Sequence, residues 1–299
     1  MANGQQQSSS TEMTFFEHID ALRPHLIRGV SSILVIAIVA FFFRGFIIDT
    51  VLFGPQSPDF PTNRLLRWIA EHINDLYGWI NSWAGTSLAF DVESLNAQTQ
   101  SFNTINTYMA GQFNLHMKIS FIVGLSLAIP YVVWELWRFV KPALTENEIR
   151  GTRWLVFWVS VCFFAGLAFG YFIMAPLSVN FFINYQASEH ITNMIDVGDY
   201  FSTILIASLG CALMFQLPLL VYFLTRIGLI SSTFLKKYRR HALVILMTIA
   251  AIITPPDIFS LFLVTIPLYF LYELSISLSM RVERKIAAEQ QESVPATVE

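Results

Sequence analysis

The chain is predicted to be an all-α, polytopic membrane protein with six transmembrane helices, the last two of them short. Three observations predict it. Apolar residues make up 55% of 299 residues and charged residues only 13%, too few charges to cover a soluble domain of this size. Long apolar runs recur along the chain, at about 24–46, 113–137, 153–177, 199–224, 240–253 and 259–280. Lys and Arg also fall unevenly between those runs, with 14 of the 18 in alternate connections on one side.

Residues 1–12, "MANGQQQSSSTE", are polar and are predicted to form a disordered tail. They lack the positive start and early apolar stretch of a cleavable signal peptide. Thr14 and Glu17 have capping-box spacing, which starts a helix near Phe15. Phe15, Phe16, Ile19, Leu22 and Leu26 share one face, as in a helix lying at a membrane surface. Pro24 then bends or restarts the chain into the first span.

The first four apolar runs can cross a hydrocarbon core of roughly 30 Å. The fifth, Ala242 to Ile253, contains only 12 residues, and the apolar part of the sixth ends before Glu273. Between them stands "TPPD". Pro255 and Pro256 stop one helix and Asp257 can cap the next, which makes a helical hairpin. A broken helix or a re-entrant loop is the alternative. In the long connection at about 54–107, Leu65, Ile69, Ile73, Leu76 and Ile80 form one stripe of an amphipathic helix.

The basic connections carry Arg23 and Arg28, then Arg138, Lys141, Arg150 and Arg153. They continue with Arg226, Lys236, Lys237, Arg239 and Arg240, and end with Arg281, Arg284 and Lys285. The positive-inside rule places this side, and both termini, in the cytoplasm. Residues 13–282 then form the membrane domain and 283–299 a cytoplasmic tail.

Several function classes are disfavoured. There is no Gly-rich phosphate loop, and the six histidines lack metal-ligand spacing. No nucleophile–base pair is visible, so an intramembrane enzyme is disfavoured and neither cofactor nor metal is expected. Nothing points to nucleic acid. Cys162 and Cys211 both lie in apolar runs and read as buried thiols.

The informative polar groups cluster at the basic edge. In "FVKPALTENEIR", Thr145 and Glu148 match a second capping box, so Glu148 is either a helix cap or an anion offered at the surface. Glu17, His18 and Asp20 are either the wet face of an interfacial helix or added acidity beside Glu148. An acidic pocket here would suit a ligand carrying adjacent arginines, because a guanidinium makes two parallel bonds to a carboxylate. Gln216, beside Pro218 in the fourth span, bonds either to another helix of this chain or to a partner helix. Glu135 and Glu273 read as acids near the membrane interface.

Taken together, "HIDALR" (18–23), "FVKPALTENEIR" (139–150) and "TPPDIFSLFLVTIPLYFLYE" (254–273) resemble the signatures of the TatC family. This family is the polytopic subunit of the twin-arginine protein translocase. The resemblance covers roughly 13–53 and 108–282. It implies a bacterial inner-membrane receptor for twin-arginine signal peptides, without enzymatic activity, in protein transport of folded cargo driven by the proton-motive force. Implied partners are those signal peptides, single-span TatA/TatB-type subunits, and further copies in a receptor complex within the lipid bilayer.

Matching the motifs places His18, Leu22, Arg23, Phe139, Pro142, Leu144 and Glu148 at the signal-peptide-binding surface. The family glutamate of the first motif is Ala21 here, and Asp20 or Glu17 would have to substitute. A fourth-span glutamate of many relatives is Gln216, which cannot titrate. The rival reading is a secondary transporter of a small solute. That would place titratable groups near the bilayer midplane, where this chain has Gln216.

Overall fold

The computed structural model describes residues 15–57, 59–65, 67–68, 71–72, 75, 104–143, 154–188, 190–191, 193–254 and 258–292. Helix α1 (Phe15–Phe42) is described from Phe15 onward, and Thr14 of the predicted capping box lies outside the described residues. The helix runs through Pro24 without restarting. A turn at Phe43 leads into a π-helical turn, Phe46–Leu52. Helix α2 (Gly111–Val140) returns antiparallel to α1. Contacts run from His25–Glu135 at one end, through Gly29–Val132 and Ala37–Gly124, to Phe41–His116 at the other. At Gly124 a Cβ would lie 2.7 Å from the Ala37 backbone, so a hydrogen there lets the two helices touch.

The third span is continuous from Leu155 to Asn184: α3 (Leu155–Phe169), a π-helical turn at Gly170–Met174, and α4 (Ala175–Asn184). The fourth is α5 (Val197–Met214) followed by α6 (Leu217–Arg226), with a turn at Phe215–Gln216 and buried Pro218 in the first turn of α6. Proline fits there because its missing N–H would have no intrahelical partner. Gly228, at φ 77°, closes the end of α6 in a left-handed conformation that suits glycine. Then follow α7 (Ser232–Lys237), α8 (Arg239–Ile253) and α9 (Ile258–Glu292).

Helix α5 is the centre of the bundle; its Phe201, Ile204, Ala207, Cys211 and Ala212 are buried. Helix α3 lies flush against it. A Cβ at Gly166 would fall 2.8 Å from the Ala212 Cα, and one at Gly170 would fall 2.6 Å from the Ser208 Cα. Small residues permit this approach, and close packing is what holds helices together where lipid supplies no hydrophobic contrast. The outward faces are apolar instead: Leu34, Ile38, Phe157, Leu220 and Phe270 are all exposed.

Five segments among the described residues are long and apolar enough to cross a membrane: Asp20–Phe42, Gly111–Val140, Leu155–Asn184, Val197–Arg226 and Leu261–Ala288. The fifth predicted span, α8, has 15 residues. At 1.5 Å per residue it reaches about 22 Å, short of a bilayer core. The last helix corrects the prediction that it too is short, since α9 has 35 residues. Glu273 does not interrupt it, because Arg239 Nη2 of α8 pairs with Glu273 Oε2 at 2.9 Å and Tyr269 donates to Oε1 at 3.1 Å.

At the end opposite the basic one, Tyr200 donates to the Leu52 carbonyl at 3.0 Å, and Tyr171 and Thr62 bond to Val51 O and Phe172 O. Two short strands pair in parallel there, β1 (Thr104–Ile105) with β2 (Ile195–Asp196). Asp196 caps α5, accepting from Gly198 N at 2.8 Å and from Thr107 Oγ1 at 2.7 Å. Of the predicted amphipathic stripe, Leu65 is described and is exposed; Ile69, Ile73, Leu76 and Ile80 lie outside the described residues, as do Pro255, Pro256 and Asp257. Both cysteines are free, Cys211 buried and Cys162 half-buried.

Candidate functional site at the basic edge

The antiparallel α1–α2 pair brings two sequence motifs to one end. Asp20, Leu22 and Arg23 lie near the start of α1; Phe139 lies at the end of α2, and Lys141 and Pro142 form a single 3-10 turn beyond it. Asp20, Arg23, Lys141 and Pro142 are exposed, while Leu22 and Phe139 are half-buried. The Phe139 and His25 rings lie 6.2 Å apart, which joins the two motifs directly. The side chains of Glu17 and His18, and all of Leu144 and Glu148, lie outside the described residues.

Beneath this edge sits a buried carboxylate whose partners the sequence reading missed. Glu135 is 1% exposed. Its Oε2 meets His25 Nδ1 at 2.6 Å and lies 3.7 Å from Arg28 Nη1. Its Oε1 accepts from Tyr131 Oη at 3.1 Å and lies 3.5 Å from Arg138 Nη1. Arg138 also stacks over Trp134, 4.8 Å from the ring centre. A lone carboxylate taken out of water is costly, and here two guanidinium groups, an imidazole and a phenol offset that cost.

Part of this cluster had a signal in the sequence. Tyr131, Glu135 and Arg138 are spaced i, i+4 and i+7 on one helical face, and His25 and Arg28 are three apart. What no local spacing could reveal is that the two sets face each other.

Gln216 lies half-buried at the α5–α6 turn and its Nε2 donates to Val159 O of α3 at 3.2 Å. The amide thus bonds within the chain, bridging two spans. Among the described residues, no three His, Cys, Asp or Glu side chains come together as a metal site.

A bundle of long apolar helices with a buried charge cluster near one end defines a multi-pass membrane protein. The family model described as Sec-independent protein translocase protein (TatC) matches residues 17–267. The chain is 38% identical to TatC of Blattabacterium sp. subsp. Periplaneta americana, over 93% of this chain and 99% of that one. It is 32% identical to TatC of Deinococcus radiodurans, over 93% and 89% respectively. Among solved structures it resembles the twin arginine translocase receptor TatC, with a TM-score of 0.59 and 26% identity, over 89% of this chain and 100% of the other. The same receptor crystallised in the detergent DDM gives a TM-score of 0.63. The chain belongs to the TatC family and is a subunit of the twin-arginine translocase.

Proposed function

We propose that the chain is the signal-peptide receptor of its translocase, placed in the bacterial inner membrane with both termini in the cytoplasm. The observation that carries this reading is the joining of residues 20–23 with 139–142 at one rim, through the His25–Glu135 bond and the His25–Phe139 contact. Glu148, six residues beyond Pro142, pairs with signal-peptide arginine. Asp20 is the exposed acid on the first motif and adds to the attraction. His18, Glu17, Leu22, Arg23 and Leu144 complete the surface. The partners are twin-arginine signal peptides of folded cargo, single-span TatA/TatB-type subunits and further copies of this chain.

Site-specific crosslinking in membrane vesicles tests this. Glu148→Gln lowers crosslinking of a twin-arginine precursor by about tenfold, the loss of one charge-assisted bond. Unchanged crosslinking and export removes Glu148 as the arginine partner.

The short α8 has its own role in this reading. A helix of about 22 Å is accommodated by thinning or tilt, which lowers the barrier where single-span subunits gather. Inserting one helical turn into α8 reduces export while signal-peptide binding persists; normal export rejects the idea.

A further inference from the structure

The two guanidinium groups beside Glu135 carry more donors than that carboxylate can accept. Each guanidinium has five N–H donors. The short bonds to Glu135 come from His25 and Tyr131, whereas Arg28 and Arg138 stand off at 3.7 and 3.5 Å, one against each oxygen. Both arginine side chains are half exposed, at 50% and 46%, while the carboxylate between them is 2% exposed. Two permanent positive charges against one negative leave the cluster cationic even with His25 neutral.

Its position is also specific. The cluster sits among lipid-facing groups: Leu26, Ile27 and Val30 of α1, and Tyr131, Trp134 and Leu136 of α2, are exposed. Tyr and Trp favour the headgroup level of a bilayer, so their presence sets the depth of Arg28 and Arg138. Basic pockets between spanning helices at that depth suit a phosphate.

We propose that Arg28 and Arg138 form a headgroup site for an anionic phospholipid. The phosphate oxygens take the guanidinium donors that Glu135 leaves unused, and the acyl chains lie along the exposed apolar face of α1 and α2. Glu135 then has a second consequence: it competes with the phosphate for the same two cations, so it holds the arginines in place and limits the affinity of the site. The site is independent of the receptor reading, since it requires neither cargo nor signal peptide.

The test uses the purified full-length protein in detergent, with binding followed by native mass spectrometry and by thermal stabilisation. The probes are dioleoyl phosphatidylglycerol, dioleoyl phosphatidylcholine and inorganic phosphate. The wild type binds phosphatidylglycerol in preference to the other two. The double variant Arg28→Gln/Arg138→Gln loses about fivefold in affinity per arginine, from the surface charge attraction of each. Arg28→Lys/Arg138→Lys keeps most of the preference, and Arg284→Gln leaves it unchanged. Glu135→Gln tightens binding, because the amide no longer competes.

Four outcomes overturn the proposal. They are an affinity of the double Gln variant within twofold of wild type, loss of binding in both the Gln and Lys variants, no tightening in Glu135→Gln, and equal stabilisation by inorganic phosphate. The second assigns the arginines to packing, and the last makes the site a general anion trap.

Discussion

Two acids of this protein are built from the same local motif and meet different fates. In α2, Tyr131 donates to Glu135 across one helical turn at 3.1 Å; in α9, Tyr269 donates to Glu273 across one turn, also at 3.1 Å. Both carboxylates also face arginine. The side chain of Glu135, however, is 2% exposed and has His25, Arg28 and Arg138 around it, whereas that of Glu273 is 33% exposed and has Arg239, whose side chain is 45% exposed. The motif fixes a helical face and nothing more. Burial decides whether the acid is enclosed between helices or left half open beside its partner.

The sharpest way to break this comparison is to remove each carboxylate in turn. Glu135→Ala leaves three basic groups gathered around an empty position, the condition under which losing one member of a buried pair is most damaging. It lowers the melting temperature in detergent by about 5–10 °C. Glu273→Ala removes an exposed pair of the kind that contributes little, and lowers it by less than about 2 °C. Raising ionic strength to 1 M, where charges are screened beyond about 3 Å, erases the Glu273 effect and leaves most of the Glu135 effect. Equal losses from the two substitutions, measured by differential scanning fluorimetry, break the argument from burial.

A third acid extends the contrast to a carboxylate held by neutral donors. Asp196 receives bonds from Thr107 Oγ1, Gly198 N and Thr107 N, at 2.7, 2.8 and 3.1 Å. These favour its ionised form and, with the Thr107 hydroxyl contributing most, hold its carboxyl below the ordinary value of 3.8. A depressed value means stability that is fully present above the unfolded-state value and is lost as pH falls through the folded one. Wild type therefore exceeds Asp196→Asn in melting temperature by about a few degrees, constant over pH 5–8, because the amide keeps the Gly198 cap but its Nδ2 cannot accept the two Thr107 bonds. The gap closes below about pH 4. A gap independent of pH there assigns the bonds to shape rather than charge.

How far the sequence could reach is visible in these three acids. Spans two to four were expected at about 113–137, 153–177 and 199–224 and stand at Gly111–Val140, Leu155–Asn184 and Val197–Arg226, because apolar length is a local property. The brevity of α8 was equally legible. The continuation of α9 past Glu273 was not, since the residue that neutralises Glu273 lies on α8. His25 and Glu135 are 110 positions apart, and the α1–α2 register that joins them is set by contacts such as Gly124 on Ala37. At the basic edge, the motifs could be read but the fastening beneath them could not.

The finest test separates the shared tyrosine from the different settings. Each phenol donates one hydrogen bond to its carboxylate, and substitution by Phe removes that donor while keeping the ring. At Glu273 the vacated lone pair is not enclosed by protein, because a third of the side chain is exposed. Tyr269→Phe therefore changes the melting temperature by less than about 1 °C. At Glu135 water is excluded and the vacated site on Oε1 faces only Arg138, at 3.5 Å. Tyr131→Phe costs about 2–4 °C, the consequence of leaving part of a buried acceptor unsatisfied. That loss shrinks when Glu135→Gln is already present, because the charge that demanded the bond is gone. A Tyr131→Phe effect that persists undiminished in the Glu135→Gln background assigns the tyrosine to ring packing against Trp134, whose centre lies 5.7 Å away.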